Sequence, residues 1–499
     1  MGTIREILTQ IKKLENEKLE KYLVTLEENY QIEFKKSKNS FPEEALKTYS
    51  AFANTDGGIL ILGIEETKEG LNISGVNSPE KVKNNMFNLL NNPQKVSKNI
   101  LTDENIIEKI ISDKIVIIID IPRAHYKEKP IYLGGNPRRS FKRNYEGDYR
   151  CTEQEMRIMI QDSSDESLDN GVIEDFTIDD LDPVALKNYR QRYNLLKKNH
   201  PFTLMNDLEF FEKLKVLRKN RKKGILEVTL GGLLVFGKSE AIREVLPFLH
   251  MEYIDYSDPS KERWVDRLIY DGTWEDNLYN FFYLAINKMY KTVVTGFKMM
   301  DDHITRVEES ETHVALREAL VNSIIHANFK INSPLKITRY TDCFEFENPG
   351  ILRISQEDFF EGNHSDPRNQ IIQEIFRMIN LCERAGTGVP KILKAVKEND
   401  YRYPDIEENE KRFLFKFWDI ENKLYSQRYI GAIKDLTQEE KDILLLTAKN
   451  NYITNIIIQN ELELPKSTVN RILSKLLKQN YLKKEGNGRG TKYRINYKK

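Results

Sequence analysis

The sequence predicts a multidomain protein of α/β and α+β architecture, and three observations support that fold class. The 499 residues would fill three or four domains at roughly 100–200 residues each. Strand-like runs alternate with helix-like segments in two separate regions, 30–150 and 311–420. Residues 436–497 have the pattern of three helices followed by a β-hairpin around several glycines.

Composition narrows the class of protein. Lys plus Arg (77) equals Asp plus Glu (77), and 39% of the residues are hydrophobic, which excludes a disordered or collagen-like chain. Three cysteines lie far apart in sequence, which predicts neither a disulfide framework nor a metal pair and favours a cytoplasmic location. No run of about 18 apolar residues exists, so we expect no membrane partner. The zero net charge hides an acidic segment at 162–182 and a basic tail at 466–499.

Changes along the chain in local charge and in the strand and helix patterns predict the domain boundaries. The acidic segment carries nine acids and neither Lys nor Arg, so it is the best candidate linker. The expected parts are an amino-terminal helix (1–26), a first α/β domain (27–161), the linker (162–182), a connecting α/β segment (183–300), a second domain (301–425) and a last domain (432–499).

Carboxylates and a lysine cluster at the start of the first domain. Glu33 and Lys35 are two apart on a predicted strand and share one face, and Glu28 precedes them. Such a set could hold Mg²⁺ or Mn²⁺ and a scissile phosphate, and Glu65, or else Glu66, could complete it from the end of the next strand. The alternative is that surface strands carry Glu and Lys routinely.

The pieces EFKKS, AFANTDGG and ILILGIEE, in this order, resemble the Schlafen-type AlbA domain over roughly residues 20–160. The resemblance implies a nucleic-acid module, and some members are metal-dependent endoribonucleases acting on tRNA. It places Glu28 and Glu33 at the paired glutamates and Glu65 at the third acid, with Lys35 beside them.

A basic segment follows in the same domain. Eight cations and five aromatic residues alternate between 123 and 150, a combination that suits phosphates and unpaired bases. Arg138, Arg139, Lys142 and Arg143 are its candidate contacts. The alternative is a solvated loop whose aromatic rings pack inward.

Residues 232–239, GLLVFGKS, satisfy the phosphate-loop pattern GxxxxGK[ST]. The central Leu-Leu-Val-Phe favours a buried strand, whereas a phosphate loop needs backbone amides turned toward a nucleotide. We therefore reject a phosphate loop and expect a buried strand.

The stretch ALREALVNSIIHANF places Glu318, Asn322 and His326 four apart, along one helical face. An Asn carbonyl can ligate Mg²⁺ and a Glu can orient or deprotonate a water, although a polar surface stripe is the plainer alternative. An Asn-Pro-Gly turn at 348–350 follows a strand, and a Gly-Thr-Gly sequence at 386–388 precedes a helix whose amide end could approach phosphates.

Together these pieces resemble the GHKL-type ATP-binding fold, an α/β sandwich, over roughly residues 300–420. The resemblance implies ATP with Mg²⁺ as cofactors, Glu318 as the water-activating residue and Asn322 as a metal ligand. It places Glu347 at the adenine-reading acid. The implied cofactor-binding set is Asn322, His326, Glu347, Asn348, Gly350, Arg368, Asn369, Gly386, Thr387 and Gly388.

The last domain resembles a winged helix-turn-helix. From Lys466 to Lys499 there are eleven cations and one acid, which favours nucleic acid over a protein-contact role. The candidate contacts are Lys466, Ser467, Thr468, Asn470 and Arg471 on the recognition helix and Arg489 and Lys492 on the wing.

Three functional hypotheses follow. The first is an ATP-controlled, metal-dependent endonuclease that acts on RNA, including tRNA, rather than DNA and serves phage defence. The second is a non-catalytic, ATP-responsive DNA-binding transcription regulator. The third is an ATPase that clamps or remodels nucleic acid. In each case the expected partners are RNA or DNA and further copies of the chain.

Overall fold

The computed structural model describes most of the chain. The described residues are 4–24, 31–67, 70–144, 147–164, 166–293, 310–362, 366–383, 386–409, 411–421, 430, 436–449, 453–485 and 491–496. The chain divides into two compact units, which are unit 1 (Met1–Asp165 with Leu473–Lys499) and unit 2 (Glu166–Ile472). The mixed α/β, multidomain fold class is confirmed.

Unit 1 is built on a four-stranded sheet with the order β1-β2-β6-β5, in which only the β1–β2 pair is parallel. The central strand β2 is buried on both faces, because Leu60 and Leu62 enter one apolar core while Ile59 and Ile61 enter another. Its elements are α1 (Ile4–Lys13), α2 (Asn16–Val24), β1 (Ile32–Lys35), α3 (Ala45–Asn54), β2 (Gly58–Leu62), β3 (Ile64–Thr67), β4 (Gly70–Ile73), α4 (Pro79–Leu90), β5 (Ile106–Ile111), β6 (Lys114–Ile121), β7 (Phe141–Asn144), β8 (Gly147–Arg150) and α5 (Glu153–Asp162).

Two expectations for unit 1 need correction. The amino-terminal segment forms two helices rather than one. The run ILILGIEE is also not one strand, because β2 ends at Leu62 and Gly63 follows with a φ of +91°, a backbone conformation that favours glycine. Glu65 and Glu66 therefore lie on a separate hairpin formed by β3 and β4.

Unit 2 contains a six-stranded sheet with the order β12-β11-β13-β14-β16-β15. Strand β11 runs parallel to β13, and the other neighbours are antiparallel. Its elements up to β16 are α6 (Pro183–Leu196), α7 (Asp207–Lys213), β9 (Leu217–Lys219), β10 (Leu226–Val228), α8 (Leu230–Phe236), α9 (Ser239–Val245), β11 (Met251–Tyr256), β12 (Asp266–Leu268), α10 (Leu278–Thr292), α11 (Glu311–His326), β13 (Leu335–Tyr340), β14 (Cys343–Pro349), α12 (Gln356–Glu361), α13 (Gln370–Met378), α14 (Gly388–Glu398), β15 (Asp405–Glu408) and β16 (Arg412–Trp418).

The predicted boundary between 300 and 301 does not separate two folded parts. Strand β11 comes from the connecting segment and pairs with β13 of the following segment, and one apolar core extends from Leu181 to Phe417. The predicted linker at 162–182 is also partly packed, since Leu168 and Asp169 are buried. The connecting segment is therefore part of the same folded unit as the candidate nucleotide site.

The segment 230–236 is a buried helix, α8, and not the expected strand. Thr229 caps it by accepting a hydrogen bond from the Gly232 amide at 3.0 Å. A run in which every residue is apolar shows neither helical nor strand periodicity, so the sequence pattern could not distinguish a buried helix from the predicted buried strand. A Cβ at Gly232 would lie 2.4 Å from the Val216 carbonyl oxygen, so this helix offers no open loop for phosphates.

The carboxy-terminal residues form three helices and a hairpin in the expected order. These are α15 (Gln438–Lys449), α16 (Asn455–Leu462), α17 (Lys466–Lys478) and the antiparallel pair β17 (Leu482–Glu485) and β18 (Lys492–Ile495). Across the described residues, no helix is both long enough and apolar enough to cross a bilayer.

Candidate functional site: a nucleotide cavity and polar surfaces

Helix α11 carries one wall of a cavity in unit 2. Its amino end is capped by Ser310, and its apolar residues, including Leu316 and Leu320, are buried in the core. Glu318, Asn322 and His326 all line the cavity, as a spacing of four residues on a helix requires.

The amino end of helix α14 is in close contact with two of these side chains. A Cβ at Gly388 would lie 2.4 Å from Glu318 Oε1 and 2.8 Å from Asn322 Nδ2, so a larger residue there would displace both side chains. The first amides of α14, at the positive end of its dipole, therefore lie next to the Glu318 and Asn322 side chains.

Glu318 is a buried carboxyl, with a residue exposure of 7%. It makes no hydrogen bond or ion pair with any other residue that the structure describes. Burial raises its pKa, and the nearby cations Lys391 and Arg317 oppose that shift. A desolvated carboxyl of this kind is suited to accept a proton from a water or to orient one.

Glu383 binds two side chains at the start of α14. The Thr387 hydroxyl donates to this carboxylate at 2.8 Å and the Lys391 ammonium donates at 2.9 Å. These contacts lower the pKa of Glu383, with the Lys391 hydrogen bond as the largest cause. Gly386, also in the cavity wall, has a φ of +63°, which favours glycine.

The opposite wall is formed around His326. Burial, reinforced by Arg368 and Arg353, lowers the pKa of His326 to about 4, so the imidazole is neutral near pH 7. The Arg368 guanidinium is buried and donates to the backbone oxygens of His326 at 2.8 Å and Ile351 at 2.5 Å. Arg368, a member of the expected cofactor-binding set, lines the cavity and holds the backbone of its wall.

Two further expected residues have structural contacts. Gly350 has a φ of +99°, and a Cβ there would lie 3.2 Å from Arg368 Cζ. Asn369 is buried, and its amide donates to the Ala327 carbonyl at 2.7 Å, beyond the end of α11. Asn369 is not part of the cavity wall, so its assignment to the cofactor-binding set is corrected.

Glu347 does not face the cavity. Successive side chains on a strand point to opposite faces, and on β14 the Glu347 carboxylate accepts an ion pair from Arg412. Its neighbour Asn348 pairs with Phe413 in the sheet, is buried and lines the cavity, and the structure gives its side chain no hydrogen bond to another described residue. The base-reading role expected of Glu347 is therefore corrected, and Asn348 is the polar group on this strand that a ligand would meet.

An apolar wall completes the cavity, and the sequence pattern did not identify it. Aromatic residues in strands are most often core residues, so nothing in the sequence marked these as ligand-facing. The wall contains Leu352, Phe359, Ile392, Phe413 and Phe415. A cavity with one apolar wall and a few converging polar groups is typical of sites for small planar ligands.

In unit 1 the expected metal-site residues form an ion-pair network. Arg143 donates to Glu33 Oε2 at 2.8 Å and to Asp148 Oδ1 at 2.9 Å, and its guanidinium lies 5.1 Å from the centre of the Phe52 ring. Lys35 donates to Glu33 Oε1 at 2.5 Å. Arg143 is therefore a buried structural cation, which corrects its assignment as a nucleic-acid contact.

The described members of this set are paired with cationic side chains. Both oxygens of Glu33 are bound to cations, and Glu65 pairs with Lys36 at 3.0 Å on the neighbouring hairpin. Throughout the described ranges, no three His, Cys, Asp or Glu side chains are placed to hold a metal. Glu28 lies outside the described residues.

The exposed candidate contacts lie on two surfaces. In unit 1, Arg138 pairs with Glu153 at 3.3 Å and Lys142 pairs with Glu155, whereas Arg139 is exposed. Four of the expected contact residues on helix α17 are exposed, and a fifth, Thr468, is partly exposed. Lys492 on β18 is also partly exposed. Arg489 lies outside the described residues. The four exposed residues are Lys466, Ser467, Asn470 and Arg471.

Comparisons with known families identify two domains. Residues 28–152 match the model of "Schlafen, AlbA_2", and residues 332–417 match "Putative ATP-dependent DNA helicase recG C-terminal", an ATPase-type domain. Both agree with the resemblances drawn from the sequence. The second match begins after α11, so Glu318 and Asn322 lie outside it. Residues 157–252 match a domain of unknown function, DUF8451.

Two solved structures are similar in part. A crystal structure of a protein from Corynebacterium diphtheriae is 17% identical, with 93% of this chain and 92% of that chain covered and a TM-score of 0.41. The N-terminal domain of a "Putative ATP-dependent DNA Helicase RecG-related Protein" from Nitrosomonas europaea is 21% identical, covering 30% of this chain and 95% of that chain, with a TM-score of 0.21. With such scores, neither similarity establishes a shared overall fold. No curated protein matches the sequence significantly.

Proposed function

For a chain that carries a Schlafen AlbA_2 domain and an ATPase-type domain, we propose that ATP binds in the cavity of unit 2 and controls the binding of nucleic acid. The observation that carries the proposal is the contact of Gly388 with Glu318 and Asn322. It puts the amide end of a helix, an amide oxygen donor and a buried carboxyl at one end of a cavity.

The residues of the cavity fit a nucleotide and Mg²⁺. Backbone amides at the start of α14 would receive phosphate oxygens, and Asn322 would offer a carbonyl oxygen to Mg²⁺. The apolar wall would pack on the base, with Asn348 at its polar edge. Bound ATP would supply a phosphoanhydride bond that water can hydrolyse. Glu318 would orient that water or hold its proton.

Calorimetry with ATP and Mg²⁺ tests the cavity. We expect the wild type to bind and Asn322→Ala to lose at least tenfold in affinity, since the variant removes an oxygen ligand. Asn194→Ala is the matched control, because Asn194 is an exposed asparagine on α6, outside the cavity. Equal affinity of Asn322→Ala and wild type would refute the site.

The nucleic-acid role is supported by the exposed cations of α17. Lys466 and Arg471 lie on its exposed side, while Val469 and Ile472 are buried. A helix with this division, followed by a basic hairpin, has the order of elements found in winged-helix DNA readers. We therefore propose that this segment contacts duplex DNA, so the molecule acts as an ATP-responsive regulator.

Cleavage is the second candidate. It is supported by Glu33 and Lys35, which share one face of β1 within a Schlafen-type domain. The test is incubation with tRNA, other RNA and DNA, with Mn²⁺ or Mg²⁺ and with or without ATP. The variants are Glu33→Ala and, as a control, Glu44→Ala at an exposed position.

Each outcome separates the candidates. RNA cleavage that Glu33→Ala abolishes and Glu44→Ala retains would favour an endoribonuclease, and its phage-defence role would then be tested by plaque assays. Cleavage that survives Glu33→Ala would refute this site. Absence of cleavage on all substrates, with ATP-dependent DNA binding retained, would favour the regulator.

A further inference from the structure

Helix α13 begins without a cap of its own. Asn369 occupies the N-cap position, but its side chain makes no cap hydrogen bond, because its amide donates to backbone oxygens at the end of α11. The first amides of a helix have no intrahelical acceptor and need partners from elsewhere. In this protein the partners come from a segment about two hundred positions earlier in the chain.

Ser167 and Asp169 supply those partners. The Ser167 hydroxyl accepts from the Gln370 amide at 2.9 Å and donates to the Asp169 carboxylate, and its oxygen lies 3.0 Å from the Arg368 carbonyl oxygen. The Asp169 carboxylate accepts from the Ile372 amide at 2.8 Å. A carboxylate in this position also complements the positive end of the α13 dipole.

This segment is firmly held on its other side. Asp169 is fully buried, its carbonyl accepts from the Gly231 amide at 2.9 Å, and a Cβ at Gly231 would lie 3.0 Å from its carboxylate. The next residue, Asn170, is bound by the Arg218 guanidinium through both its backbone and its side-chain oxygen. One acid of the predicted flexible linker is therefore a fixed structural element.

The residues before α13 connect the same contacts to the cavity. Arg368 accepts the Leu168 amide at 3.1 Å with its carbonyl oxygen, which also lies 3.0 Å from Ser167 Oγ. Its guanidinium holds the backbone of His326 and Ile351, and all three residues lie in the cavity wall. A movement of that wall must therefore act on the Ser167 and Asp169 contacts. Ser167 is the second residue of unit 2, and the chain reaches it directly from unit 1.

We propose that Ser167 and Asp169 are positioning residues that couple the nucleotide cavity to the segment joining the two units. A nucleotide that shifts the wall held by Arg368 changes the position of this segment, and nucleic-acid affinity changes with it. The inference rests on the proposed function, since it names how the same cavity is coupled to nucleic-acid binding.

The test measures the ratio of duplex DNA dissociation constants without and with saturating ATP and Mg²⁺, by fluorescence anisotropy on the full chain. Coupled sites commonly show ratios of about 5–150. For the wild type we expect at least fivefold, and for Ser167→Ala and Asp169→Ala a ratio close to one. The affinity for ATP should stay within threefold of wild type, as should DNA affinity without ATP.

Asp179→Ala is the matched control, because it removes an exposed acid of the same segment that does not contact α13. It should keep the wild-type ratio. If Asp169→Ala does not fold, Ser167→Ala carries the test, since it removes only one hydroxyl.

An unchanged ratio in the variants would overturn the proposal. A loss of ATP binding itself in the variants would also overturn it, because it would mean a structural role. A wild type that binds ATP with no change in DNA affinity also overturns the coupling but leaves the ATP site intact. A wild type that calorimetry shows not to bind ATP refutes the proposed function instead.

Discussion

Gly388→Ala tests the close approach at the centre of the nucleotide cavity. The new Cβ would lie 2.4 Å from Glu318 Oε1, whereas ordinary contacts begin at 3.4 Å, so the carboxylate must move by about 1 Å. Asn322 Nδ2, at 2.8 Å, must move as well. Both atoms are the ends of flexible side chains, which can shift at a small cost in stability, and they are the groups that would meet the ligand.

The expected result is a loss of ATP affinity larger than the loss of stability. Alanine is favoured over glycine within helices by up to about 1 kcal/mol, which offsets part of the strain in the folded protein. We therefore expect roughly tenfold weaker ATP binding by calorimetry, about 1.4 kcal/mol, with a small change in melting temperature. Gly171→Ala is the control, because nothing lies within 4 Å of its Cβ position. ATP affinity of Gly388→Ala within twofold of wild type would refute the geometric argument.

Three further predictions concern other parts of the molecule. The pKa of His326 is lowered from 6.5 to about 4, so between these pH values the unfolded chain binds more protons than the folded one. The free energy of unfolding should therefore fall as the pH drops from 6.5 to 4, by up to about 1.4 kcal/mol per pH unit. Urea titrations at each pH should show this slope for the wild type and not for His326→Gln. Arg143→Ala leaves two buried carboxylates without their shared cation and should destabilise unit 1 by about 3–5 kcal/mol in denaturant unfolding, whereas Arg139→Ala should have little effect. Lys466→Ala and Arg471→Ala should each weaken DNA binding and lower the slope of log affinity against log salt by about one, and unchanged slopes would contradict phosphate contacts by these side chains.

The sequence predicted most accurately where local geometry decides the outcome. Glu318, Asn322 and His326 line one cavity because a spacing of four residues on a helix leaves no alternative. Strand alternation would likewise have excluded one of Glu347 and Asn348, since successive residues of a strand point to opposite faces. It was the comparison with a family motif, rather than the strand geometry, that led to Glu347.

The predictions for Arg143 and Asp169 were wrong for the same physical reason, because contacts with residues distant in sequence determine the environment of each side chain. The charge of Arg143 counts toward a basic segment in the sequence, but in the structure Glu33 and Asp148 neutralise it. Asp169 similarly appeared to be one acid of a solvated linker, yet it caps a helix about two hundred residues away. Residues 230–236 failed for another reason, because a fully buried helix and a buried strand are equally apolar.

The central claim is that a nucleotide bound in the unit 2 cavity controls nucleic-acid binding. The most direct test is the wild-type affinity for labelled duplex DNA, measured by anisotropy with and without ATP and Mg²⁺ and repeated with Asn322→Ala. We expect at least a fivefold change on addition of ATP for the wild type and none for the variant. Equal DNA affinity in both conditions, at ATP concentrations that calorimetry shows to be saturating, would contradict it.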